Sequence, residues 1–333
     1  MSAIATKPGR IRPGILLGLV GCLALLSLFT VNDQYRNLFD AGAMQIERHI
    51  AVLQNQSLDP WQFRVLSAYL VEAYLFVVRE IGWSQDPMGA MLVFRGLQNF
   101  LLFLLAWLFF RTLRMHPLLA LIGVSILAWG MGQAHYESDL SFNLYFDLIF
   151  YLSAALLIAR KRDAWLIPLS LLAVLNRETS LLIPFLLLAA RAEWRPRPRW
   201  DRRVLLITAG ACFLQVATYA LIRWYLGSKA PFYPHDVPWG WELLKYNIVR
   251  WETWEYLGAT FGIIPILSLA VFRRWPRVLC RYFWTMVPVW LVLHSLLGVL
   301  AETRILLVPY VLTVLPGALI GVQSILQEDE GSV

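Results

Sequence analysis

The apolar run from 164 to 190 constrains the fold of this chain more than any other stretch. Five polar or charged residues, Asn176-Arg177-Glu178-Thr179-Ser180, interrupt it near the middle, and basic clusters stand at both of its ends. A single membrane-spanning helix would carry one of these clusters across the membrane, which the positive-inside rule disfavours. We therefore predict a helical hairpin with both basic ends in the cytoplasm and Arg177-Glu178 at its outer tip.

Composition agrees with a membrane protein. The chain has 333 residues, 59% of them hydrophobic, and its mean hydropathy of +0.58 is too high for an ordinary soluble domain. The net charge of +7 does not indicate a nucleic-acid partner, because the basic residues stand in short loops between apolar runs. The three cysteines are too few and too scattered for a disulfide framework or a thiolate zinc site.

The pattern of apolar runs predicts an all-α polytopic membrane protein, a single transmembrane domain over 1–333 with both termini in the cytoplasm. About ten transmembrane helices are expected: the two short arms of the hairpin, and spans at 14–31, 88–110, 117–133, 140–159, 204–226, 257–272, 282–300 and 305–325. Of the 29 lysines and arginines, 18 fall in the predicted inner segments, against only 6 of the 22 acidic residues. This asymmetry supports the orientation.

Two longer outer segments are predicted, at 32–87 and 227–256. In the first, the range 38–53 places Leu38, Gly42, Ile46, Ile50 and Leu53 on one helical stripe. The range 64–80 is also amphipathic, so both helices are expected to be amphipathic surface helices rather than spans.

Acidic and basic side chains gather in the predicted outer turns. A carboxylate just above the membrane can take a proton from an acceptor nucleophile. An arginine at a helix start can hold a lipid-linked phosphate and stabilise it as a leaving group. This is the chemistry of glycosyl transfer from a lipid-phosphate sugar.

The order of these features resembles the GT-C superfamily of integral-membrane glycosyltransferases, which use polyprenyl-phosphate sugars. The likeness rests on an early acid in Phe39-Asp40-Ala41-Gly42, two surface helices, the acidic turn Glu137-Ser138-Asp139, and the Asn176–Ser180 stretch. The segment 59–66, which contains Arg64, and the turn Glu302-Thr303-Arg304 resemble uncharacterised bacterial members. The resemblance covers the module 14–190 best and the C-terminal spans, 204–325, more loosely.

The resemblance implies a role for each matching residue. Asp40 would be the general base, with Asp33 as the other candidate, and Asp139 would be the second catalytic acid. In metal-dependent members the second acidic motif helps hold a divalent cation, so Glu137 and Asp139 would be the ligands of Mg²⁺ or Mn²⁺. The residues expected to bind the donor substrate are Arg177, Glu178, Glu302, Arg304 and Arg64. The implied activity is hexosyl or pentosyl transfer on the outer face of a bacterial cytoplasmic membrane, with a polyprenyl-phosphate sugar and membrane lipids as partners.

Structural interpretations of the same residues remain open. Asp40 follows Arg36 by four positions and could form a surface ion pair, and Asp139 could cap the helix at 140–159. Asp147, Arg95 and Gln98 are expected to form a buried polar contact between spans. For the chain as a whole, the alternatives are a non-catalytic subunit of a membrane assembly and a lipid or solute transporter.

Overall fold

The computed structural model describes residues 13–36, 41–83, 86–136, 142–194 and 198–330, and this part of the chain is almost entirely helical. The helices are α1 (Pro13–Arg36), α2 (Ala41–Leu53), α3 (Val65–Glu80), α4 (Pro87–Thr112), α5 (Pro117–Gln133), α6 (Phe142–Ala159), α7 (Leu166–Asn176), α8 (Ile183–Arg191), α9 (Arg202–Leu226), α10 (Trp241–Val249), α11 (Trp251–Phe261), α12 (Ile264–Ala270), α13 (Arg277–Leu297), α14 (Leu307–Pro309) and α15 (Leu315–Glu330). Short 3₁₀ segments include Trp61–Phe63, Glu178–Leu182 and Thr303–Leu306, and a π-helical stretch, Tyr310–Val314, joins α14 to α15. Two-residue strands, β1 (Glu193–Trp194) and β2 (Pro198–Arg199), pair antiparallel.

Five helical segments among the described residues are long and apolar enough to cross a membrane. They are Gly14–Arg36, Pro87–Thr112, Phe142–Ala159, Arg202–Leu226 and Thr303–Glu328. Pro117–Gln133 and Asp163–Asn176 are apolar but shorter. The expectation of a helical, membrane-associated protein is confirmed at this level, and the number of ten spans stays a prediction.

Helix α6 lies at the centre of the bundle. It packs against α4, α7 and α8, and 78% of its apolar stretch is buried, whereas the corresponding shares are 17% for α1 and 22% for α9. A helix that is apolar on all sides belongs in the interior. The outward faces of α1 and α9 carry exposed side chains such as Leu17, Phe213 and Trp224, which suit contact with lipid.

The predicted hairpin is present as two helical arms, α7 and α8, with Arg177 between them. Arg177 is extended (φ −163°, ψ 143°), and the 3₁₀ segment that follows leads into α8. Side chains of this polar stretch bond to nearby backbone and so compete with helix continuation: Ser180 Oγ donates to the Arg177 carbonyl at 2.7 Å. From α9, Gln215 Nε2 donates to the Ser180 carbonyl at 2.9 Å and fixes the tip from the other side.

Some predicted boundaries differ from the structure. The span at 257–272 is broken, because α11 ends at Phe261 and Gly262 turns the chain with φ +52° before α12 begins. Glycine adopts this left-handed conformation without a steric cost. The predicted outer segment 227–256 contains α10 and the start of α11, and α1 continues to Arg36, past the predicted end of the first span.

The two predicted surface helices are both present, but their buried faces differ from the predicted stripes. In α2 the buried side chains among those described are the polar Gln45 and His49, whereas Ile50, on the predicted apolar stripe, is 43% exposed. In α3 the buried face includes Val71, and the predicted apolar face carries Tyr69, which is 60% exposed. The exposed apolar side of α3 suits a position against lipid.

Candidate anion-binding site

A buried carboxylate in the central helix holds the hairpin tip. Asp147 of α6 is fully buried, and its Oδ2 accepts a 2.6 Å hydrogen bond from Thr179 Oγ1. Asn176 Nδ2 lies 3.3 Å from Oδ1, and Arg177 Nη1 lies 3.8 Å from Oδ2. One turn along α6, Tyr151 donates to the Thr179 carbonyl at 2.7 Å. The buried central helix α6 thus sets the position of Arg177.

Arg177 is buried but makes few contacts of its own. The residue is 7% exposed, and beyond the 3.8 Å ion pair its guanidinium forms no hydrogen bond to any described residue. The Nε of Arg177 is buried with no hydrogen-bond partner, and buried guanidinium donors are ordinarily satisfied, so this donor calls for an explanation. Arg177 also interacts electrostatically with two further arginines, Arg64 and Arg304.

Arg64 joins the tip to the start of α3. It is the N-cap residue of that helix and binds Glu178 in a bidentate manner, with Nε 3.1 Å from Oε2 and Nη2 in contact with Oε1. The Arg64 side chain is 11% exposed and that of Glu178 33% exposed. A two-point arginine–carboxylate contact fixes the orientation of both groups.

Arg48 and Arg304 bring two distant parts of the chain to the same place. Arg48, on α2, lies with its guanidinium carbon 4.4 Å from the centroid of the Trp61 ring. Burial and, to a smaller extent, the charge of Arg304 lower the pKa of Arg48 to about 10, against the raising effect of Glu302. Arg304 is 6% exposed and donates to Glu302 Oε2 at 2.9 Å. The turn after α13 therefore reaches the first predicted outer segment.

A fifth arginine, Arg95 of α4, stands behind this group. It is fully buried between the rings of Phe142 and Tyr145, each with its centroid 4.4 Å from the guanidinium carbon, and it donates to Gln98 Oε1 at 2.8 Å. Cation–π contacts of this kind are stronger when desolvated. Arg95 interacts electrostatically with Arg304. Arg95 and Gln98 contact each other within α4, whereas Asp147, expected to join them across the spans, bonds to the hairpin tip.

A small cavity of about 50 Å³ opens beside the cluster. Its walls carry Arg48, His49, Trp61, Arg64 and Asn143, among others. The carbonyl of Asn143 accepts a 2.7 Å hydrogen bond from Asn176 Nδ2, which ties this wall to the hairpin tip. A second cavity, of about 130 Å³ and mostly apolar, lies on the other side of His49. We call these the arginine pocket and the apolar pocket.

The structure brings all five predicted donor-binding residues together. Arg64 contacts Glu178, Arg304 contacts Glu302, and Arg177 interacts electrostatically with Arg64, Glu178 and Arg304. Their roles stay predictions. The spacing of these residues in the sequence does not by itself predict that they lie close together. His294, near the end of α13, stacks on Trp290 with Nδ1 2.9 Å from its carbonyl oxygen.

Three of the predicted acidic residues, Asp40, Glu137 and Asp139, lie outside the described residues. The general base and the Mg²⁺ or Mn²⁺ ligands implied by the resemblance therefore stay predictions. Within the described ranges, no group of three histidine, cysteine or acidic side chains is arranged to hold a metal ion. Asp33, the other candidate base, lies at the end of α1 against Gly132 of α5.

Sequence reasoning missed Arg48 and His49. The pattern that could have indicated them is a polar one: Gln45, Arg48 and His49 stand at i, i+3 and i+4 on one face of the helix, and all three line the arginine pocket.

Comparisons with protein-family models, with curated proteins and with solved structures found no match for this chain. The chemistry of the site therefore rests on its own residues. Guanidinium groups present planar pairs of N–H donors that match phosphate oxygens, and a buried position strengthens that interaction.

Proposed function

We propose that this chain is a GT-C-like membrane glycosyltransferase, which moves a sugar from a polyprenyl-phosphate donor to an acceptor on the outer face of a bacterial cytoplasmic membrane. The observation that carries the proposal is Arg177: buried, without a hydrogen bond to the described residues, and within electrostatic range of Arg64 and Arg304. A donor phosphate would supply the acceptor oxygens that this guanidinium lacks. In this proposal the ten spans place both termini in the cytoplasm and the hairpin tip towards the outer face.

The arginines would act on the leaving group. When the bond from sugar to phosphate breaks, negative charge grows on the phosphate oxygens, and fixed guanidinium groups in a water-poor site stabilise that charge. Asp147 positions Arg177, and Glu178 positions Arg64, because each carboxylate contacts its arginine directly. A divalent cation would be held by Glu137 and Asp139, and no step of the transfer is assigned to it.

The test uses purified protein in nanodiscs with a panel of polyprenyl-phosphate hexoses and pentoses. Arg177→Gln is expected to weaken donor binding by about 30-fold or more, since losing one partner of a buried charge pair costs about 2–5 kcal/mol. Release of free polyprenyl phosphate should fall with it. Both quantities are measured with radiolabelled donor.

Arg191→Gln is the matched control. Arg191 ends the other arm of the same hairpin and pairs with Asp163 at 2.8 Å, remote from the tip. Equal donor binding by the two variants would contradict the proposal. Donor binding by the wild type without release would favour a non-catalytic subunit or a lipid transporter instead.

A further inference from the structure

His49 stands between the two cavities. Among the described residues, it is the one side chain that lines both the arginine pocket and the apolar pocket. It is 7% exposed, although nothing in the proposed phosphate contacts requires a histidine there. A buried histidine at the junction of two cavities can reach groups held in either one.

A carboxylate orients the His49 ring. Nε2 lies 3.0 Å from Glu72 Oε2, and the other oxygen of Glu72 accepts a 2.7 Å hydrogen bond from Arg79. The hydrogen bond with His49 lowers the pKa of Glu72, and Arg79 lowers it further against the raising effect of burial, so this carboxylate is ionised at neutral pH. An ionised partner favours the tautomer with the proton on Nε2, which leaves Nδ1 as a proton acceptor. Nδ1 has no hydrogen bond to any described residue.

We propose that His49 is the general base of the transfer, and this inference rests on the proposed function. With the donor phosphate at Arg177, beside the arginine pocket, the acceptor hydroxyl would approach through the apolar pocket, so that His49 lies beside the line of attack. The apolar walls, which include Ile46, Leu75 and Met91, suit an amphipathic acceptor that carries the hydroxyl.

The transfer of the sugar needs no reactant beyond the donor and the acceptor. The acceptor oxygen forms a bond to the anomeric carbon of the sugar as the bond from that carbon to the phosphate oxygen breaks. The electron pair of the broken bond leaves with polyprenyl phosphate, and the hydroxyl proton moves to Nδ1 of His49. Glu72 stabilises the imidazolium that forms, as carboxylates do in histidine–carboxylate pairs.

Charged groups from several elements surround His49. Glu72 and Arg79 face it from α3, Asp86 from the start of α4, and Arg48 and Arg64 from the side of the arginine pocket. Glu72→Gln removes the carboxylate that orients the ring and stabilises the imidazolium, so transfer should fall while donor binding is kept.

The experiment compares His49→Gln with His116→Gln in nanodiscs that contain donor and a set of hydroxyl acceptors. His116 precedes α5 and lines neither pocket, so its variant should match the wild type. His49→Gln should keep donor binding while transfer falls about 10²- to 10⁴-fold, the range for loss of a general base. Added imidazole should restore part of the rate of His49→Ala.

Three results would overturn the role. Transfer by His49→Gln at the wild-type rate, together with its loss in Asp40→Asn, would return the base to Asp40. Loss of donor binding by His49→Gln would make the histidine a structural or phosphate-binding residue. Absence of donor binding and of release in the wild type would refute the proposed function itself, and the role of His49 with it.

Discussion

Asp147→Asn should destabilise the fold through Arg177, because the substitution keeps the shape of the side chain and removes its charge. In the native protein, Arg177 Nη1 lies 3.8 Å from the Asp147 carboxylate. At an effective dielectric constant of about 20, Coulomb attraction at that separation is about 4 kcal/mol. Part of this loss of attraction is offset, because the fully buried carboxylate no longer has to be desolvated. Removing one partner of a buried pair costs about 3–5 kcal/mol in practice, so a loss of about 3 kcal/mol is expected.

The comparison with Thr179 separates charge from hydrogen bonding. Thr179→Val removes the 2.6 Å hydrogen bond to Asp147 and leaves the ion pair, and bonds to charged groups contribute about 1.5–3 kcal/mol. Asp147→Asn combined with Arg177→Gln should cost less than the sum of the single substitutions, by about 2–3 kcal/mol, because no lone charge is left buried.

Unfolding free energies are measured by SDS titration in mixed micelles, followed by circular dichroism. Glu242→Gln is the control, since its ion pair with Lys245 is more than half exposed on both sides and should contribute less than about 1 kcal/mol. An Asp147→Asn protein as stable as the wild type would mean that Asp147 is uncharged in the fold. Additive costs in the double variant would refute the electrostatic link to Arg177.

Two further predictions concern a close helix contact and a buried polar side chain elsewhere in the fold. Gly317→Ala should destabilise the fold by about 1–3 kcal/mol or more, because the new methyl group would overlap the Trp275 ring. The thermal unfolding midpoint in nanodiscs should therefore fall. Gly258→Ala, which meets nothing within 4 Å, should leave the midpoint unchanged. Asn247→Ala should cost about 3 kcal/mol in SDS titration, because Asn247 is fully buried and its amide bonds to three backbone groups of the 295–300 segment; a loss below about 1 kcal/mol would contradict this.

The parts of the fold that sequence predicted well are those that hydropathy and charge determine locally. Helix α5 has the predicted bounds because Pro117 begins it and the apolar run ends at Gln133. The hairpin arms follow from the two basic ends of one apolar run. The break at Gly262 could not be predicted in this way, because the apolar pattern continues through it and only the backbone conformation interrupts the helix.

The sequence predicted some of the residues that form the candidate site, but not which of them lie close to one another. Charge inside an apolar run indicated Arg177, and the end of the last outer turn indicated Arg304, because arginine near a membrane interior is costly. Arg48 and His49 gave no such signal, since charge on an amphipathic surface helix is ordinary. What makes them notable is burial against α3 and the Trp61 segment, and burial depends on contacts between parts far apart in sequence.

The arginine cluster contains residues from both the 14–190 and the 204–325 ranges. Arg48, Arg64 and Arg177 come from 14–190, whereas Arg304 comes from 204–325 and reaches Arg48 and Arg177 electrostatically. Gln215 of α9 also fixes the hairpin tip through Ser180. Bringing like charges together in a water-poor region is unfavourable before the carboxylates are in place, so the cluster can form only as the bundle closes around it. A phosphate bound at Arg177 would then be held by the assembled bundle, and not by the hairpin alone.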